Sequence, residues 1–138
     1  MESQALLRQQ IIKNFIAQHT ENAADAAITH WEQLAAQIIS IVGNDGFNSL
    51  YARSLFITQS IFAWLAAGSL SPQTDHRFAE LKISFKGRPA EQVSEANTLL
   101  LLNFTDILAS LIGEEFTTTI LCLAWNIDES GKIGKEFK

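Results

Sequence analysis

The sequence predicts an all-α protein, a single-domain bundle of five or six helices, and three observations carry that expectation. The chain has 138 residues, room for one core and not two. Apolar residues make up 47% of it and charged residues only 18%, which excludes a disordered chain. Every long segment repeats its apolar residues at steps of three and four, the period of a helix, and none alternates over a strand's length without ambiguity.

The first segment runs from Ala5 to Ala17, with Leu7, Ile11, Ile12, Phe15 and Ile16 at helical spacing and Ser3 placed to cap it. The second runs from Asn22 to Val42 through Ala27, Trp31, Leu34, Ile38 and Val42, and Gly43 stands where a left-handed cap belongs. Asn44 or Asp45 can cap a third helix, whose stripe of Phe47, Leu50, Tyr51, Ser54, Leu55, Thr58, Ile61 and Phe62 continues toward Ala67 and Gly68.

Ser71-Pro72 starts a fourth segment that reaches Gly87. There Leu81, Ile83 and Phe85 alternate as a strand would, but a lone strand has no partner, so helix is the reading. Pro89 opens a fifth helix with Val93, Ala96, Leu100, Phe104, Ile107 and Leu111 on its seam. Leu99 to Leu102 make it apolar all round for one turn, which predicts a central place for it and an inward position for Trp31, Leu100, Phe104 and Leu111. Gly113 ends it, and Glu114 and Glu115 open a sixth helix, favoured there by the N-terminal dipole. Residues 1–127 are thus the bundle. Residues 128–138, with two glycines and no period, read as a mobile tail.

An internal echo links Ile38-Ile39-Ser40-Ile41-Val42-Gly43 to Leu108-Ala109-Ser110-Leu111-Ile112-Gly113, followed by Asn44-Asp45-Gly46-Phe47 in the first and, with a one-residue gap, Glu114-Glu115-Phe116 in the second. It predicts two helix-Gly-helix hairpins related by a pseudo-twofold. The segments His30-Trp31-Glu32-Gln33-Leu34, Gly43 to Arg53 and Leu111 to Thr117 resemble small all-helical bacterial proteins of unknown function. That resemblance spans most of the chain and implies the helical fold, with no activity attached to it.

The chemistry-bearing residues are few. A net charge of −5 opposes binding to nucleic acid or an anionic membrane surface. The longest uncharged run, Ser54 to Thr74, carries too many polar groups for a membrane span. The single cysteine, Cys122, allows neither an internal disulfide nor a zinc motif. Cys122 sits between leucines, where burial makes a thiol inert. With Met-Glu-Ser-Gln at the start and no basic n-region, a cytoplasmic protein is expected. No Glu-x-x-His pair, nucleophile elbow or phosphate-binding glycine loop occurs, so neither metal nor cofactor nor catalysis is expected. Histidine phosphotransfer through His30, one step off the apolar stripe, is a weaker alternative. Trp31, Glu32 and Gln33 follow it, where such modules place a cation and a small residue.

What stands out is missing charge. From Gln33 to Thr74 only Asp45 and Arg53 are charged, and from Leu99 to Ile127 only Asp106, Glu114 and Glu115. Neutral outer faces imply that something covers them. On the third helix the face opposite the main stripe runs Ser49, Ala52, Arg53, Phe56, Ser60, Ala63 and Ala67. Its small residues let a second helix approach, and Phe56 is the apolar anchor. This predicts a non-catalytic interaction module, regulatory or adaptor-like, that pairs with itself as a homodimer or with another protein. Arg53 is expected to pair with Asp45, Asp106 or Glu114 if buried. Arg77, Lys82, Lys86 and Arg88 read as a solvated face. A second class of function, binding of a small apolar ligand between helices, would use Trp31, Trp64, Phe104 or Trp125 as walls.

Overall fold

The computed structural model describes residues 4–18, 22–65 and 78–127. Among them are five helices and no strand: α1 (Gln4–Ala17), α2 (Ala23–Gln59), α3 (Ala79–Phe85), α4 (Ala90–Ile112) and α5 (Glu114–Trp125). The second and third helices of the sequence reading are the two halves of α2, which breaks at Gly43. The ambiguous stretch before Gly87 is helical as α3 and not a strand. The cap at Ser3, the Ser71-Pro72 start, Ala67 and the tail from 128 lie outside the described residues.

The break in α2 differs from the expected left-handed cap. Gly43 has φ 83° and ψ 169°, and Gly113, between α4 and α5, has φ 98° and ψ 152°. Both lie in the region of positive φ and extended ψ that only glycine occupies without strain. A single residue of this kind reverses the chain with no linker, so each helix begins where the last one stops. Space is not the constraint, since nothing lies within 4 Å of a Cβ built on either glycine. The echoed sequences therefore share a backbone corner.

α4 is the centre: it packs on α1, α2 and α5, while α3 packs on α2. Its Val93, Ala96, Leu100, Leu101, Phe104 and Leu108 are buried, and their apolar crowding is why helices surround it. By length and composition it could also cross a membrane. Trp31, wholly buried, lies at the heart of the core. Its ring meets Phe104 edge-on at 5.2 Å and Tyr51 at 5.3 Å, and its Nε1–H donates to the buried Asn97 Oδ1 at 2.7 Å. A tryptophan can be buried here because that one donor is satisfied.

Leu111 departs from expectation. It is 65% exposed, because in the last turns of α4 the buried row moves to Thr105, Leu108 and Ala109 and the 3.6-residue seam leaves Leu111 outside it. α2 also ends earlier than its stripe suggests. Residues 60–65 are turns and irregular structure rather than a further helical turn, folded back so that Gln59 Nε2 donates to the Leu65 carbonyl at 2.7 Å.

Candidate functional site

Three places answer to the residues that the sequence singles out. The first is the outer face of α2 after the Gly43 corner. Phe47, Leu50, Tyr51, Ser54, Leu55 and Thr58 point inward and are buried. Ser54 and Thr58 cost nothing there because their hydroxyls donate to the Leu50 and Ser54 carbonyls, each at 2.7 Å. The opposite face carries Ser49, Ala52, Arg53, Phe56 and Ser60, all exposed, and Ala63 beyond the helix end is exposed as well. Phe56 is 77% exposed and Ile61 67%. The structure thus brings the candidate residues of the helix onto one face and leaves its phenylalanine uncovered by the described residues.

The second place corrects the ionic expectation. Arg53 is exposed on that outer face, where water solvates it, and it is not the buried cation. Asp106 and Glu114 belong to Arg8, a residue the sequence reading passed over. Arg8 is only 1% exposed. Its Nε and Nη2 donate to the two carboxylate oxygens of Glu114 at 2.9 and 3.1 Å. Nη2 also reaches Asp106 Oδ1 at 2.7 Å, and Nη1 donates to Thr105 Oγ1 at 2.7 Å. The Thr105 hydroxyl in turn donates to the Leu101 carbonyl at 2.8 Å. Burial by itself would lower the Arg8 pKa, but the hydrogen bonds and charges of Glu114 and Asp106 outweigh it and hold the group above its ordinary value. One guanidinium therefore ties α1 to both sides of the Gly113 corner, and the forked geometry suits arginine rather than lysine. A signal for it existed: Arg8, Ile11, Ile12 and Phe15 share the stripe of α1, so a cation stood at a core position.

The third place is His30. It is not accessible, as phosphotransfer requires, but 6% exposed. Its ring lies 4.4 Å from that of Phe15 and 6.0 Å from that of Trp125, and its carbonyl accepts a hydrogen bond from Trp125 Nε1–H at 3.1 Å. The reason is that α2 is covered on two sides before Gly43, so the flank of its stripe is also inside. In this conformation little of that residue is open to a phosphoryl donor.

The four aromatic walls suggested for a ligand are core or rim packing. Trp31 and Phe104 pack on one another, and Trp125 stacks on Phe15 at 4.4 Å. Trp64 is capped by the Arg88 guanidinium 4.2 Å above its ring. Lys82, Lys86 and Arg88 are exposed; Arg77, His19 and His76 lie outside the described residues. Cys122 is half-buried. Among the described residues no three His, Cys, Asp or Glu side chains gather as a metal site would require. The chain has no match among protein-family models, known curated proteins or solved structures.

Proposed function

We propose that the protein is a non-catalytic helical interaction module, regulatory or adaptor-like, that pairs with a second copy of itself through the outer face of α2 beyond Gly43. One observation carries the reading: Phe56 is 77% exposed at the middle of a helical face whose single charge is Arg53. Covering one such ring contributes about 1.5–3 kcal/mol, and a twofold contact uses it twice because the same patch stands on both sides. Phe56 alone does not make a dimer. A stable contact covers about 800 Å² on each partner, which Ile57, Ile61 and the small residues Ala52 and Ser60 extend toward. The small side chains matter because they set how near two helix axes come. Corners of like geometry at Gly43 and Gly113 support a pseudo-twofold within the chain. The lone half-buried cysteine suits a reducing compartment, for which we take the cytoplasm.

Mass by light scattering after size exclusion tests this. Wild type should run at twice its 15.3 kDa at tens of micromolar, and Phe56→Asp, which places two carboxylates in the contact, should run as a folded monomer. A wild-type monomer at that concentration overturns self-pairing.

A second reading, binding of a small amphipathic ligand, has separate support in a groove between α1 and α4.

A further inference from the structure

α4 carries more leucine than its neighbours cover. Leu100 and Leu101 are buried, whereas Leu99 and Leu102 line an open groove of 670 Å³ between α1 and α4, a size within the roughly 300–1,000 Å³ of ligand pockets. Ile16 and Ala17 of α1 form the facing wall.

The groove is polarised along its length. α1 runs antiparallel to α4, since Arg8 bonds to Asp106 while Ile16 and Ser94 line one small cavity. At the start of α4, Glu91, Ser94 and Glu95 lie within about one helical turn and all border the groove. Further along come Thr98, Leu99 and Leu102. Lys13, three residues before Ile16, stands about 4.5 Å toward the leucine end. Neither glutamate forms an ion pair among the described residues, and Ser94 Oγ is shut off from solvent with no hydrogen-bond partner among them. Against the two carboxylates stand about half a positive charge at the α4 N-terminus and Lys13 nearer the leucine end, so the negative excess is small and sits at the Glu91–Glu95 end.

We propose that this groove binds a single-chain amphipath with a cationic head, independently of the dimer contact and as the concrete form of the second reading. The ammonium lies against Glu91 and Glu95, the two carboxylates that border the groove at its α4 start. The chain runs over Ile16, Leu99 and Leu102. Residues 90 to 102 of α4 span about 18 Å at 1.5 Å each, and an extended chain advances about 1.2 Å per bond, so a dodecyl chain fits. The overall charge of −5 also draws cations toward the protein.

Calorimetric titration of the full chain with dodecylammonium, dodecanol and dodecanoate, each below its micellar concentration, tests the assignment. Dodecylammonium should bind tightest and dodecanoate weakest. Glu91→Gln with Glu95→Gln, both exposed, should weaken the amine by about three- to tenfold and leave dodecanol nearly unchanged. Filling the groove from exposed positions, by Ala17→Trp or separately by Ala90→Trp, should remove binding of the amine and the alcohol while circular dichroism stays that of wild type. No binding of the amine, tighter binding of dodecanoate, or amine binding that survives both groove-filling variants would overturn the proposal. The last result would place the chain on another apolar face.

Discussion

The two glycine corners make the same turn and serve different ends. At each, a helix stops at a residue of positive φ and extended ψ, and acid follows within two residues, Asp45 at the first corner and Glu114 with Glu115 at the second. At Gly113 the outgoing acid is put to use: Glu114, with Asp106 from the incoming helix, receives the buried Arg8 of α1. At Gly43 the acid is Asp45, exposed, and among the described residues no arginine pairs with it. The first corner therefore sends out a helix half whose inner face is packed and whose outer face is left neutral and apolar around Phe56. The second sends out α5 held to a third helix by charge. Local sequence decides the turn, and a residue about a hundred positions away decides what the turn is for.

Removing Arg8 should break the comparison most severely. Arg8→Ala leaves two carboxylates side by side and the buried Thr105 hydroxyl without the donor it accepts from, a loss of about 2–4 kcal/mol, below the cost of a fully buried pair because Asp106 and Glu114 reach solvent. The matching change at the other corner, Asp45→Asn, should stay within about 0.5 kcal/mol. Denaturant unfolding measures both. Equal effects would mean that the corners are held alike.

The glycines should behave as a pair. Gly43→Ala and Gly113→Ala each meet no steric obstacle but force a Cβ into a glycine-only conformation, at about 1–3 kcal/mol apiece. If either proves neutral in the same unfolding experiment, the turn there is not the strained one described.

How much of this was legible follows from the range of each signal. Helix identity, the inward placement of Trp31, Leu100 and Phe104, and the positions of both corners come from spacing within a few residues, and the structure agrees with each, though Gly43 is not the left-handed cap expected there. The stripe of α2 likewise separated Tyr51, Ser54 and Thr58 from Phe56. Arg53 was chosen because it is the only cation in a long neutral stretch, yet a side chain's isolation along the chain says nothing about burial. Arg8 sat at a core position of its stripe, and only the antiparallel packing of α1 on α4 shows which carboxylates it meets. His30 was misplaced because a stripe predicts one covered side, and that half of α2 has two. The groove was visible only as an excess of leucine at 99–102, without a hint of what lay opposite.

A smaller effect checks the core beneath the outer face. Tyr51 is the only tyrosine in the chain, and burial pushes its phenol far above the ordinary value of 10.0. With the folded pKa raised, the unfolded state alone gives up the proton above pH 10, so stability is intact below that point and falls as the pH climbs through the folded value. The slope should approach about 1.4 kcal/mol per pH unit. Phenolate absorbance should appear only with unfolding, and Tyr51→Phe should lose this share of the alkaline decline. Phenolate forming near pH 10 in the folded protein would mean that Tyr51 is wet.

The central claim is that a second copy covers the Phe56 face, and disulfide trapping addresses it most directly. In a Cys122→Ser background, one cysteine is introduced at Ala52 or at Ser60, which flank Phe56 on the same exposed face, and a control cysteine at the exposed Lys13 of α1. Under mild oxidation at tens of micromolar, the account predicts fast covalent dimer from Ala52→Cys or Ser60→Cys, because positions near a twofold axis meet their own copies, and slow dimer from the control. Covalent dimer forming no faster at either position on that face than at Lys13 would contradict it.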